Sequence, residues 1–74
     1  MREPKDRVVI ASDVSSRDGI GVEIYRNDEE VVEIFRDDSE KTRTITVFKE
    51  TISLELMEEC IQIFKKEIPW EFQD

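Results

Sequence analysis

The sequence predicts an α+β fold in which a four-stranded antiparallel β-meander is followed by one C-terminal helix packed on one face of the sheet. Three observations support this fold class. Apolar residues recur at every second position within residues 20–27, 31–36 and 42–49, the period changes to about 3.6 after residue 53, and the connections between strands are too short for parallel crossovers. The 74 residues form a single predicted domain, 1–74.

The first two predicted strands cover residues 7–14 and 20–27. RVVIASDV is rich in β-branched residues and lacks helical spacing, which favours a strand. SSRDG follows as a turn, because glycine supplies positive φ and serine and aspartate bond their own backbone. In the second strand Ile20, Val22 and Ile24 alternate with Gly21 and Tyr25, which is the pattern of a half-buried strand.

The third and fourth predicted strands cover residues 31–36 and 42–49, after the turns NDEE and DDSEK. Both continue the alternation, so each has one aliphatic face and one mixed face. The residues expected to lie under the helix are Ile20, Val22, Ile24, Val32, Ile34, Ile45 and Val47.

The predicted helix covers residues 53–68. Ser53 can cap its N-terminus, the cations Lys65 and Lys66 suit the negative end of its dipole, and Pro69 ends it. The tail, residues 69–74, is too short to fold alone, so its two aromatic residues must dock or lie exposed. The apolar stripe consists of Leu54, Met57, Ile61, Phe64 and Ile68, widened by Leu56, Cys60 and Ile63.

The cysteine and histidine content limits how so small a domain can be stabilised. A core of this size seldom supplies more than about 3–5 kcal/mol, so disulfides, a metal or a partner subunit usually help. Cys60 is the only cysteine and there is no histidine, so the sequence predicts no internal disulfide, no metal site and no cofactor. Association with another subunit is the remaining source of stabilisation, and a homodimer is one form of it.

Charge and hydropathy bear on partners and location. Nineteen acidic and eleven basic residues give a net charge of −8, which repels nucleic-acid phosphates and anionic membranes and favours basic partners. No apolar stretch has the length of a signal peptide or a membrane span, and the single cysteine fits a reducing compartment. We therefore expect a cytoplasmic protein that does not contact membranes.

No group of residues predicts catalysis. Asp37 and Asp38 are adjacent at a hairpin tip, where they point in different directions, and we interpret them as turn residues answered by Arg36 and Arg43. DGIG lacks the third glycine and the helix of a dinucleotide site. Cys60 lies in the helical stripe as a small hydrophobe without a histidine partner. The sequence predicts that the protein is not an enzyme.

The sheet face away from the helix is the predicted binding surface. It carries Tyr25, Phe35 and Phe48, together with Val31, and the three aromatic residues come from successive strands. We call them the aromatic row. An exposed row is an apolar patch of the kind that monomers rarely leave uncovered. Trp70 and Phe72 of the tail are also predicted to be partner-binding residues. They could fold back over the row, a second copy could pack on it, or another molecule could bind there; these alternatives stay open.

Three functional hypotheses follow from the sequence. The leading hypothesis is a non-enzymatic domain that self-associates or binds a protein through the aromatic row. The second is an acidic, immunity-like or nucleic-acid-mimicking protein that neutralises a basic partner, with charge steering the encounter. The acidic residues near its loops are Asp13, Asp18, Asp28, Glu29, Glu30, Asp37, Asp38 and Glu40.

The third function is binding of single-stranded nucleic acid. Strands followed by a helix resemble, in outline, the nucleic-acid-binding domains of the PUR and whirly type, which stack bases on aromatic residues. Those domains have basic grooves, whereas Glu23 and Glu33 share this face and the chain is acidic. The charge therefore argues against nucleic acid as a partner.

Two segments, SRDGIGVEIY and EIFRDD, resemble segments of small bacterial cytosolic proteins of unknown function. The resemblance covers about the central third of the chain and consists of turn and strand residues. It implies a bacterial cytosolic domain and no particular activity.

Overall fold

The computed structural model describes residues 5–13 and 18–73, and it confirms the predicted α+β fold. The four strands form one antiparallel sheet in the order β1-β2-β3-β4, and the helix packs on the two central strands. Each element ends within two residues of its predicted end. The elements are β1 (Arg7–Asp13), β2 (Gly19–Arg26), β3 (Glu29–Asp37), β4 (Thr42–Val47) and α1 (Leu54–Glu67).

Part of the predicted turn SSRDG and the last residue of the first predicted strand lie outside the described residues, as does the end of the tail at residue 74. The other two turns are described.

The turn between β2 and β3 is tighter than the sequence suggested. Asn27 and Asp28 both have positive φ, 58° and 66°, as in a type I′ hairpin turn. Asparagine and aspartate tolerate this conformation, so β3 begins at Glu29 and not at residue 31. The chain before β1 is bonded to the turn: the Asp6 carboxylate accepts from the Asn27 amide, and the Asp28 amide donates to the carbonyl of Lys5.

A β-bulge changes the role of Val31. Ile24 pairs with Val32 and Tyr25 pairs with Glu30, so Val31 has no opposite residue in β2. The sequence places Val31 on the outer face by strict alternation, and that prediction is wrong. Val31 is buried and belongs to the core, because the extra residue interrupts the alternation.

The core lies between α1 and the helix-facing side of β2 and β3. The helix is centred on Cys60 and Phe64, both buried. Leu54 is wrongly predicted to join the stripe: it is 74% exposed, since six residues place it about 120° around the helix axis from Cys60. The buried core residues are Val22, Ile24, Val31, Val32, Ile34, Cys60, Phe64 and Ile68.

Local signals set the ends of α1 as predicted. The Ser53 hydroxyl accepts a 3.0 Å hydrogen bond from the amide of Leu56, which satisfies one of the free donors of the first turn. At the other end, Ile68 is extended while its amide still donates to the carbonyl of Phe64, and Pro69 follows.

The helix leaves the two edge strands uncovered. By register, Val8 and Ile10 on β1 and Ile45 and Val47 on β4 face the same side as the core of β2 and β3. All four remain exposed, so the prediction that the helix covers Ile45 and Val47 is wrong. A helix is about 10 Å wide, whereas four strands spaced about 4.8 Å apart are wider than that. We call these pairs the β1 strip and the β4 strip.

Gly21 allows an unusually close approach between β2 and β3. A Cβ atom at this position would lie 2.3 Å from the carbonyl oxygen of Ile34 and 2.9 Å from both Cα and Cδ2 of Phe35. Two of these atoms belong to the backbone of the neighbouring strand. A side chain at position 21 would therefore have to displace that strand.

We expect Gly21→Ala to lower the free energy of unfolding by about 2 kcal/mol, because the added methyl group forces β3 away. Urea denaturation followed by Trp70 fluorescence measures this change. The control is Ser12→Ala on the exposed edge strand, which should stay within about 0.5 kcal/mol of the unmodified protein. Equal effects of the two changes would contradict the close-approach argument.

Candidate protein-binding surfaces

The aromatic row does not form a continuous line across the sheet. Tyr25 pairs with Arg7 and Glu30, whereas Phe35 lies opposite Gly21. Four residues of β2 separate these positions, a distance of about 13 Å along the strand. The two rings therefore lie near opposite ends of the outer face.

Phe35 is not available to a partner. Only 2% of it is exposed, and its ring lies against the backbone of Gly21. The prediction that Phe35 is exposed is wrong, because the glycine opposite it leaves space that the ring fills. An aromatic residue opposite a glycine in a neighbouring strand is the sequence signal for this packing.

The other two aromatic residues of the row have different surroundings. The Arg7 guanidinium lies over the Tyr25 ring, 4.1 Å from its centroid. The Tyr25 hydroxyl donates to Glu23, and partial burial, followed by the charges of Glu23 and Glu30, raises the pKa of Tyr25. Phe48 follows the end of β4 and is half exposed. Phe48 is therefore the most exposed of the three aromatic residues.

Acidic residues occupy the centre of the outer face. Glu23 pairs directly with Glu33 across β2 and β3, and Glu30 is close enough to feel both charges. Burial, and then the charges of Glu23 and Glu33, raises the pKa of Glu30. These carboxylates give the centre of the outer face a negative charge.

Trp70 and Phe72 lie on the helix side of the sheet and not over the aromatic row. The Trp70 ring meets Phe64 edge to face, with centroids 6.4 Å apart and planes at 75°. The Arg43 guanidinium lies 4.0 Å from the centroid of Trp70 and 4.2 Å from that of Phe72. Arg43 was expected to pair with the acidic hairpin tip, but it donates to the carbonyl oxygen of Trp70.

Arg36 holds the tail in this position. Its side chain is buried and bonds both carboxylate oxygens of Asp38, through Nε at 2.9 Å and Nη2 at 3.2 Å. Its Nη1 donates to the carbonyl of Pro69 at 2.7 Å. The predicted pairing of Arg36 with the hairpin tip is confirmed, and it extends to the chain beyond the helix.

The carboxylates at the hairpin tip have separate structural roles. Asp37 accepts from the amides of Ser39 and Glu40, which closes the turn. Asp38 accepts from the amide of Gln73 as well as from Arg36, and these two donors lower the pKa of Asp38. The two side chains thus bond different groups, as the turn interpretation requires.

A groove lies between α1 and β4. Its volume is about 290 Å³, and its apolar floor consists of Ile34, Ile45, Ile61 and Phe64. Trp70 forms one wall, and the cations Arg43 and Lys65 lie beside it. We call it the α1–β4 groove. This groove is not predicted by the sequence, because the position of the tail relative to the sheet carries no periodic signal.

The other exposed apolar surface is the edge strand β1. Val8, Val9 and Ile10 are consecutive and 38%, 36% and 46% exposed. Val9 faces the outer side of the sheet, and its two neighbours form the β1 strip. One edge of β1 pairs with β2, while no described strand pairs with the other.

Reactive groups are sparse in the part of the chain that the structure describes. It contains no cluster of three or more side chains suited to a metal ion. Cys60 is buried, and desolvation raises the pKa of its thiol. The described helix is too short and too polar to cross a membrane.

Comparisons of the chain with protein-family models, with curated proteins and with solved structures gave no match. The two exposed apolar surfaces and the charges around them are therefore the features that indicate a function.

We expect Arg36→Met to lower the free energy of unfolding by about 3 kcal/mol, because it leaves Asp38 and the Pro69 carbonyl without their buried donor. The matched control is Arg7→Met, which removes an exposed ion pair with Asp28 and should cost at most about 1 kcal/mol. Chemical denaturation compares the two variants. Similar losses would show that Arg36 does not anchor the tail.

We expect Glu23→Gln to raise the free energy of unfolding at neutral pH by about 0.5 kcal/mol, because it removes a like-charge pair with Glu33. The folded-state pKa of Glu30 is raised, so ionisation of Glu30 destabilises the fold above that pKa. The gain should disappear at acidic pH, where Glu30 is protonated in both the folded and the unfolded state.

Denaturation at neutral and acidic pH measures this gain, and an NMR titration should show the pKa of Glu30 falling toward its ordinary value. Glu40→Gln, in the β3–β4 turn, is the control. A gain that persists unchanged at acidic pH would contradict the electrostatic explanation.

Proposed function

We propose that the protein is a non-enzymatic protein-binding domain that self-associates through the open edge of β1. The observation that carries the proposal is the run of three β-branched residues, Val8, Val9 and Ile10, each more than a third exposed on an edge strand. An unpaired apolar edge offers backbone donors and acceptors to another strand, and proteins seldom leave such an edge open.

Antiparallel pairing of β1 with its copy gives a closed dimer. The two-fold axis is perpendicular to the sheet, so the same patch is used twice and both helices lie on one side. The eight strands form a continuous sheet. Val8 and Ile10 of the two copies meet in the space between the helices. On the outer face, Val9 of one copy lies beside β1 of the other copy.

The small size of the domain supports this arrangement. The sheet has only two central strands under the helix, and the apolar side chains of β1 contribute little while they face water. Pairing removes these side chains from water at about 25 cal/mol per Å² of apolar surface. The dimer would supply stabilisation of the kind that a disulfide or a metal gives to other small domains.

The aromatic row contributes to this interface only at its end near β1. Tyr25 pairs with Arg7 on β1, and Arg7 lies over its ring. Phe35 is buried and Phe48 follows β4, at the other edge of the sheet.

We expect Ile10→Lys to weaken self-association by about tenfold or more, since placing an ammonium group in the paired strip costs about 1.4 kcal/mol or more. Ile45→Lys is the matched control: it is the same residue type on the same face, 45% exposed compared with 46%, at the opposite edge. Sedimentation equilibrium over a range of concentrations measures both variants.

A protein that stays monomeric at the highest concentrations, or equal weakening by both variants, would refute the β1 dimer. Oxidative crosslinking of Val8→Cys, Val9→Cys and Ile10→Cys gives a second readout. The symmetry brings one residue of β1 opposite itself, within disulfide range, so one variant should crosslink best. Buried Cys60 should not compete.

The second candidate function is neutralisation of a basic partner. It is favoured by the net charge of −8 and by Glu23 and Glu30, whose charges lie close together on the outer face. Asp28 forms an ion pair with Arg7, and Glu29 forms one with Lys49. Association of this kind weakens with salt, whereas apolar strand pairing does not, so salt dependence separates the two functions.

A further inference from the structure

We propose that the open edge of β4 and the adjoining α1–β4 groove form a binding site for an extended, acidic peptide segment. The segment adds to the sheet as an antiparallel fifth strand and reads apolar–x–apolar–x–acidic from its N-terminus. This site goes beyond the proposed self-association, because it lies at the opposite edge of the sheet and takes a different occupant.

The backbone of β4 is available for pairing. In the described part of the chain, β3 alone pairs with β4. The Phe48 amide donates to Val31 on β3, and hydrogen-bonded and non-bonded pairs alternate along an antiparallel ladder. The N–H and C=O groups of Val47, Ile45 and Arg43 therefore point to the open edge. Strand addition is an established way for a sheet to bind an extended peptide.

The side chains of β4 set the pattern of the occupant. Arg43, Ile45 and Val47 share the helix-facing side of β4 by register. An antiparallel strand runs past Val47 first, then Ile45, then Arg43. Directly opposite side chains on one face lie about 4.5–5.5 Å apart, close enough to interact. Apolar residues thus suit the first two positions, and an acidic residue suits the third.

Apolar surface beside the edge favours the first two positions. Ile45 is 45% exposed although it borders the groove, so a side chain entering there covers both Ile45 and Ile61. The opposite wall is Trp70, which is held on Phe64 and by Arg43. Exposed tryptophan beside an apolar pocket is typical of the residues that dominate binding energy at protein interfaces.

Charge selects the acidic position. Within residues 5–13 and 18–73, neither Arg43 nor Lys65 forms an ion pair with a carboxylate. Both lie against Trp70 at the groove, in a chain whose net charge is −8. Arg43 is also fixed in place by two hydrogen bonds to the Trp70 carbonyl. A carboxylate on the peptide therefore meets an oriented cation at little cost in side-chain entropy.

The experiment titrates the full chain with the blocked peptide acetyl-Thr-Val-Thr-Val-Thr-Glu-Thr-amide. The readout is the fluorescence of Trp70, the only tryptophan. A second peptide carries Lys in place of Glu, and a third carries Gln there and ends in a free carboxylate. We expect saturable binding of the Glu peptide and binding about tenfold weaker for the Lys peptide. The third peptide should bind more weakly than the Glu peptide, because the site binds an acidic side chain and not a terminal carboxylate.

Three variants locate the site. Ile45→Lys should weaken binding of the Glu peptide by about tenfold or more, and Ile10→Lys should leave it unchanged. Lys65→Glu, at an exposed helix position, should lower the affinity for the Glu peptide and raise the affinity for the Lys peptide. Circular dichroism checks that each variant is folded.

Several outcomes would overturn the proposal: no binding of the Glu peptide at about 1 mM, equal affinity for the Glu and Lys peptides, or undiminished binding by Ile45→Lys. The variants also keep the two proposals apart. If the self-association proposal is wrong, Ile10→Lys has no effect in sedimentation, and the titration results are unaffected. If the peptide-binding proposal is wrong, Ile45→Lys has no effect in the titration, and the sedimentation results are unaffected.

Discussion

The width of one helix relative to four strands is the constraint on which this structure depends. The α1 helix covers β2 and β3, and its buried side chains Cys60 and Phe64 meet the aliphatic face of those two strands. Strands spaced about 4.8 Å apart extend beyond a helix about 10 Å wide on both sides. The β1 strip and the β4 strip are the result, so the exposed apolar surface lies beside the helix at both sheet edges.

The tail makes the two edges different. Arg36 joins β3, the hairpin tip and the Pro69 carbonyl through one buried guanidinium, which directs the chain toward β4 after the helix ends. Trp70 then packs on Phe64, and the Arg43 guanidinium lies over its ring. The β4 edge therefore adjoins a groove with an aromatic wall and two cations, whereas the β1 edge is a plain apolar strand. A symmetric contact suits the plain edge, and a selective one suits the groove.

Charge supports the same division of surfaces. The outer face has Glu23 opposite Glu33, with Glu30 near both, so it repels acidic molecules. The groove on the other face has Arg43 and Lys65 in a chain that is acidic overall. Two neighbouring cations at the groove of a chain that is acidic overall favour a specific orientation of approach for an acidic segment.

The sequence alone determined the elements and the fold class. Alternating apolar residues specify strands with one buried face, the period of about 3.6 specifies the helix, and Ser53 and Pro69 mark its ends. These signals are local, since each depends on neighbours within a few residues. The tertiary structure decided the rest: the bulge that buries Val31, the packing of Phe35 against Gly21, and the position of Trp70. Each of these depends on how separate strands and the tail meet in space, which a local pattern does not encode.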